Sequence, residues 1–259
     1  MSGEHPGERI AKVIARAGHA SRRDAERMIA EGRVSINGEK LTSPARNVTP
    51  ADLIVIDGVP LAAPDKPRLF RFHKPAHTIT TARDPEGRDT IYDVLPKNLP
   101  RLMPIGRLDW SSEGLLLLTN DGELKRHLEL PASAWLRRYR VRAYGTPPNN
   151  EILSKLEQGI TVEGVQYDSI ETVVDRKQGS NVWLTMSLRE GKNREVRRVL
   201  AHLDLQVNRL IRVAYGAFQL GQLQPGDLEE VTGKVLREQV GAAFSTPPVR
   251  HRSKREPPS

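Results

Sequence analysis

The sequence predicts an α+β protein in two unequal parts: a small helix–helix–hairpin module, then a larger domain built on a mixed, largely antiparallel sheet. Three observations lead there. Apolar residues recur at helical spacing through residues 9–33 and then give way to alternation closed by tight-turn dipeptides. Pro60, Pro64 and Pro67 punctuate a short junction. From Leu69 onward, strand-like runs outnumber helical ones.

In the first part, Ile10, Val13, Ile14 and Ala17 share one helical face and Gly18 supplies a stop. Ser21 is placed to cap a second helix whose apolar face is Ala25, Met28 and Ile29, and Gly32 ends it. Val34 and Ile36 alternate with polar neighbours ahead of Asn37-Gly38, and Leu53 to Ile56 runs into Asp57-Gly58; both dipeptides favour hairpin turns. In the second part, strands are expected at Leu69–Phe72, Leu115–Thr119, Tyr139–Ala143, Val182–Leu188 and Leu210–Val213. Helices are expected around Glu123–Leu130, Asn150–Gly159 and Asn193–His202. The last residues hold prolines and cations with almost nothing to bury, which reads as a disordered basic tail. The divisions drawn from these shifts are residues 8–66, 67–242 and 243–259.

The chain of 259 residues carries 40 Lys+Arg against 32 Asp+Glu, a formal charge of +8 that points first to a polyanionic partner. Cysteine is absent, which excludes disulfides, thiolate metal sites and cysteine nucleophiles. Among the seven histidines only His73 and His77 stand four apart, and Pro75 between them breaks any helix that would align them, so no metal is expected. No glycine-rich phosphate loop or dinucleotide fingerprint is present, so no cofactor is expected either. No apolar stretch reaches membrane-spanning length and the first residues lack the apolar run of a secretory signal; the expectation is a cytoplasmic protein, away from the membrane. Residues 9–33 concentrate seven cations (Arg9, Lys12, Arg16, Arg22, Arg23, Arg27 and Arg33) against three acids. A solvated helical face has the same look. Their clustering at the helix–helix junction favours a site where backbone phosphate meets several at once.

The most informative segment is Ile105-Gly106-Arg107-Leu108-Asp109-Trp110-Ser111-Ser112-Glu113-Gly114, followed by Leu115 to Leu118 and Thr119-Asn120-Asp121-Gly122. Four consecutive leucines predict a buried strand, which puts Arg107 and Asp109 in the loop leading into it. Two residues apart in an extended segment, their side chains point to one side, and a nearby cation favours an ionised carboxylate. On spacing alone, a structural ion pair and a catalytic pair both remain open.

These motifs, taken in order, resemble the small-ribosomal-type family of bacterial pseudouridine synthases. Lys74-Pro75 with Asp84 to Arg88, Gly106 to Asp109, Arg138 to Val141, Glu190 to Arg198 and Leu210 to Gly226 fall in the family's sequence. The N-terminal module resembles the S-four-like RNA-binding domain. The resemblance spans roughly residues 8–240 and implies isomerisation of a uridine in ribosomal RNA: the N-glycosidic bond breaks, the uracil turns, and a carbon–carbon glycosidic bond forms. By position in the motifs it makes Asp109 the catalytic carboxylate, Arg197 its basic partner and Tyr139 the aromatic face for the uracil. Arg107, Lys74, Lys192, Arg194 and Arg198 join the N-terminal cations Arg9, Lys12, Arg16, Arg22, Arg23 and Arg27 as RNA contacts. It leaves two roles for the carboxylate, attack on the ribose or removal of a ribose proton. A uridine must leave its stack to reach it, at a cost of about a few kcal/mol, which an aromatic contact worth ~1–3 kcal/mol offsets in part. The forms Trp135 to Tyr139 and Gly179 to Met186 look closer to the large-subunit (23S) branch, and a monomer is expected. Two residues depart from the family pattern: His77 replaces a glycine after Lys-Pro, and Trp110 replaces a smaller aliphatic residue. Both bear on pocket shape.

Other readings give different expectations. A non-catalytic RNA-binding or ribosome-assembly factor of the same fold would not need Asp109. A small-subunit (16S) enzyme would share the site. A glycoside hydrolase acting on a polyanion would need a second carboxylate, for which Glu113 and Asp121 are nearest in sequence.

Overall fold

The computed structural model describes residues 7–241 and Phe244. The expected basic tail lies outside the described residues, apart from Phe244. In the N-terminal module, β1 (Glu8–Arg9), α1 (Ile10–Arg16) and α2 (Arg22–Ala30) precede β2 (Val34–Ile36), β3 (Glu39–Lys40), β4 (Asn47–Val48), β5 (Ile54–Ile56) and β6 (Val59–Pro60). The Ser21 side chain accepts the Asp24 amide at 3.0 Å, the expected cap of α2. Strands β2 and β5 pair centrally with a hairpin on each side, in the order β3-β2-β5-β6. Asn37 and Gly38 (φ 52° and 87°) and Asp57 and Gly58 (φ 49° and 82°) close the two turns with positive φ at both central residues. Ile10, Ile14, Ala25, Ile29, Val34 and Ile56 are buried together in a core of their own.

The larger domain comprises β7 (Leu69–Lys74), α3 (Ile91–Val94), β8 (Met103–Ile105), β9 (Glu113–Thr119), α4 (Gly122–Glu129) and β10 (Arg137–Tyr144). It continues with α5 (Asn150–Gln158), β11 (Ile160–Val162), β12 (Val165–Tyr167), β13 (Ile170–Gln178), β14 (Asn181–Leu188) and α6 (Glu195–His202). The chain then forms β15 (Gln206–Tyr215), β16 (Phe218–Gln219), β17 (Leu228–Glu230) and α7 (Gly233–Val240). The main sheet runs β13-β14-β10-β15-β9-β7-β17, with β8 beside β9 and β16 beside β15. Only the β9–β15 pair in it is parallel. Gly114 makes that pairing possible: its φ is +104° and a Cβ there would sit 2.4 Å from the Arg212 carbonyl oxygen.

The four-leucine run is buried on both sides, and its alternation feeds two cores. Leu116 and Leu118 face one core with Val141, Leu184 and Met186, covered by Leu156 of α5 and Val196, Val199 and Leu200 of α6. Leu115 and Leu117 face the other, covered by Leu124 and Leu128 of α4 and Leu236 and Val240 of α7. Among the described residues no helix is long and apolar enough to cross a membrane.

Candidate active site

The loop between β8 and β9 carries Asp109, and its backbone is pinned at every carbonyl from residue 108 to 112. The Thr80 hydroxyl donates to Leu108 O (3.0 Å), and the Ser112 amide to Asp109 O (3.0 Å). The His77 amide donates to Trp110 O (2.7 Å), and Arg197 Nη2 to Ser111 O (3.1 Å). Lys74 Nζ donates to Ser112 O (2.8 Å). At the start of the loop the Gly106 amide donates to the Glu129 carboxylate at 2.7 Å, and Lys125 of the same helix pairs with that carboxylate. Three elements distant in sequence thus hold one carboxylate in place.

Asp109 opens into a cavity of about 750 Å³ whose walls include Arg107, Trp110, Tyr139, Lys192, Arg194 and Arg212. Tyr139 is 9% exposed; β10 turns it inward, opposite Arg212 of β15. Arg107 is exposed at the rim. The direct partner of the Asp109 carboxylate is Arg194 (3.3 Å from Nη1 to Oδ2), a correction to the expectation from the motifs that Arg197 pairs with it. Arg194 adopts φ +52° as the residue before α6, and that left-handed turn swings its side chain to the cavity. Arg197, one turn on, is half-buried against Ser111 O and Val207 O. Burial and the neighbouring Arg194 pull its guanidinium below the ordinary arginine range, and Asp109 opposes them. Arg198 is exposed and lines a smaller cavity with Arg194 and Arg197.

Lys74 is a second correction. It is fully buried, bonded to Pro75 O (2.9 Å) and Ser112 O, so it meets no phosphate from this position. Burial pulls its ammonium down to about 8, against the attraction of Asp109 and Glu113. The N-terminal set also divides. Lys12 bridges Glu8 and, across the domains, Glu123 (2.8 Å each), Arg16 pairs with Glu8 (2.5 Å), and Arg27 with Asp24 (2.8 Å). Among the described residues Arg9, Arg22 and Arg23 make no ion pair. Lys12, Arg16 and Arg22 line an interdomain cleft together with Arg101, Lys125 and Arg126. Exposed pairs of this kind are worth under ~1 kcal/mol and yield readily to phosphate.

The carboxylates that a hydrolase would recruit are occupied. Glu113 is paired with Arg209 (2.5 Å), and Asp121 caps α4 by accepting the Glu123 and Leu124 amides. The two departures from the family pattern touch each other: the His77 and Trp110 rings lie edge-on with centroids 4.3 Å apart, and His77 sits at φ +64°, where glycine is the easier residue.

Two groups escaped the motif reading. Glu195 is 3% exposed and lines the cavity. Its Oε2 accepts the Lys192 amide (2.9 Å), its Oε1 is unpartnered, and burial beside the Glu190 carboxylate pushes it up to about 8. Glu190 in turn accepts the Asp168 amide and Lys192 Nζ, so a carboxyl–carboxylate pair fixes the loop that delivers Arg194. The signal was its place at 195 among 196, 199 and 200, the apolar stripe of α6. Arg212 is 3% exposed, with Nε donating to Leu115 O at 2.7 Å. Its place opposite Tyr139 follows from pairing that sequence periodicity does not contain.

A family model described as RNA pseudouridylate synthase matches residues 68–202, more than half of the chain. The chain belongs to that family. An S4 domain model matches residues 8–54 of this synthase. An RNA pseudouridine synthase of Rickettsia prowazekii is 44% identical over 236 residues, covering 91% of this chain and 99% of its own. The ribosomal large subunit pseudouridine synthase B of Bacillus subtilis is 39% identical over 229 residues (87% of this chain, 92% of its own). The synthase B of Haemophilus influenzae is also 39% identical (93% and 70%). A pseudouridylate synthase crystal structure shares the fold, with a TM-score of 0.65 at 24% identity over 90% of this chain and all of that one.

Proposed function

We propose that this synthase isomerises a specific uridine of large-subunit (23S) ribosomal RNA, acting as a cytoplasmic monomer. The large-subunit assignment draws on the two synthase B relatives, and the ribosomal substrate on the same likeness together with the S4 domain. The single observation that carries the chemistry is a carboxylate on a fully pinned loop, open to a cavity walled by an aromatic ring and cations. The reaction conserves every atom. The N1–C1′ bond breaks, a C5–C1′ bond forms, and the proton lost from C5 is matched by the one N1 gains. Asp109 serves the ribose at C1′ or its neighbouring carbon, Tyr139 supports the detached uracil, and Arg194 accompanies the carboxylate. Arg197 is a positioning residue that acts through Ser111. Residues 8–66 hold RNA, and residues 67–242 carry the reaction.

The test is pseudouridine mapping of ribosomal RNA from cells that lack the gene and from cells carrying Asp109→Asn. One site in 23S RNA should lose its modification in both. Unchanged modification at every site in the Asn variant would overturn the catalytic reading, and loss in 16S RNA would overturn the subunit assignment alone.

A further inference from the structure

Among the described residues, helices cover one face of the sheet over only part of its width. Helices α4 and α7 pack over its outer side at β7 and β9, and that cover ends near Ile211 and Trp135. Beyond it, β10 and β13 turn the side chains opposite to Tyr139 and Val141 outward to solvent, and β14 sets half-buried Asn181, Trp183 and Thr185 between them. Arg138, Arg140, Arg142 and Tyr144 are all exposed along β10. The register sets Arg142, Trp183 and Arg176 in one row across three strands. The Arg140 and Arg176 guanidinium groups lie 5.1 Å and 5.7 Å from the Trp183 ring centroid. Among the described residues, Arg138, Arg140, Arg142 and Arg176 make no ion pair. Arg209, opposite Arg142, is neutralised by Glu113. Besides Glu113, which Arg209 occupies, the acids on this face lie on the edge strand, where Glu171 is exposed and Asp175 accepts the Thr185 hydroxyl.

Cations held side by side on adjacent strands repel one another, and four of them without carboxylates cost stability unless an anion joins them. The Arg140 and Arg176 guanidinium groups both lie within cation–π distance of Trp183, and among the described residues neither donates a hydrogen bond, which leaves their N–H groups to phosphate oxygens. Alternate residues of β10 repeat at about 7 Å, so Arg138, Arg140 and Arg142 form a regular line of charge along the strand. The patch's apolar groups, Trp183 beside two arginines and the exposed Val173 and Tyr144, lie dispersed among the cations, whereas a protein partner would want them gathered at a dry centre.

We infer that this face is a second RNA-binding surface, engaging a segment of ribosomal RNA other than the one that delivers the uridine. Tyr139 and Arg140 are neighbours on β10 but point to opposite sides, so the patch and the Asp109 cavity face away from each other. RNA bound at both either wraps the edge of the sheet or comes from two segments. The inference rests on an RNA substrate and not on the choice of ribosomal subunit.

The test compares Arg140→Gln/Arg142→Gln/Arg176→Gln with a control of equal charge loss on exposed lysines elsewhere, Lys66→Gln/Lys97→Gln/Lys234→Gln. Binding of both to deproteinised 16S and 23S RNA is measured across a salt series. Loss of three phosphate contacts should lower the slope of log K against log salt by about 2 and weaken binding at least ~10-fold near 0.15 M salt. The control should stay near wild type. Indistinguishable slopes for the two triple variants, on both RNAs, would overturn the inference. So would a loss confined to binding of ribosomal particles with naked RNA unaffected, which would mark a protein partner. A wrong subunit assignment leaves the comparison intact.

Discussion

Replacing Glu195 by Gln should make the protein more stable at neutral pH and remove part of its pH dependence. Folded, Glu195 holds its proton up to about 8; unfolded, it returns to an ordinary value of 4.5. Between those values the folded state binds more protons than the unfolded one, so stability falls as pH rises. The contribution is complete below the lower value and gone above the upper. That window is about three and a half pH units, each worth ~1.4 kcal/mol, which sets a ceiling near 5 kcal/mol. Burial comes first and the Glu190 charge second among the causes, and because the two carboxyl groups titrate together a loss of about 2–3 kcal/mol is expected. Gln keeps an oxygen for the Lys192 amide but has no proton to lose. Urea unfolding of both proteins at about pH 5, 6, 7 and 8 measures the difference, in which other titrating groups cancel. The variant should gain about 2–3 kcal/mol on wild type across the series. A difference that stays constant with pH would refute the buried-acid reasoning.

Three further substitutions separate roles that the motifs merge. Arg197→Gln should cost about 2 kcal/mol of stability, because a half-buried donor to Ser111 O and Val207 O is lost, whereas Arg194→Gln should cost under ~1 kcal/mol as an exposed ion pair; equal losses in thermal unfolding would contradict the assignment. Lys74→Met should lower kcat about 100-fold by freeing the Asp109 loop, with RNA affinity within about threefold of wild type. A selective loss of affinity would return Lys74 to the phosphate contacts.

Much of this architecture is written in local pattern. The helices of the N-terminal module, its Asn37-Gly38 and Asp57-Gly58 turns and the buried leucine strand follow from spacing and turn chemistry, which are properties of neighbours. What the pattern missed lies elsewhere. Strand β13 is polar on most of its length because it is an edge, so Glu171 to Gln178 shows little alternation to read. The Lys74 side chain looks like any surface cation until pairing of β7 with β9 encloses it. The choice between Arg194 and Arg197 depends on one left-handed residue at the mouth of α6, a backbone angle that no helical periodicity encodes. Arg212 reaches the cavity through strand pairings with Tyr139 and with Gly114, the second nearly a hundred residues away in sequence.

The five pinned carbonyls from Leu108 to Ser112 decide which partner must deform. A loop tied to Thr80, His77, Arg197 and Lys74 favours bringing the RNA to the carboxylate over moving the carboxylate to the RNA. With Asp109 in the role proposed above, selection among uridines becomes a contest of mechanical softness: a residue in a bulge, a mismatch or a half-assembled hairpin reaches it cheaply, and the same sequence in a finished helix does not. Such an enzyme would sense how far its target has folded.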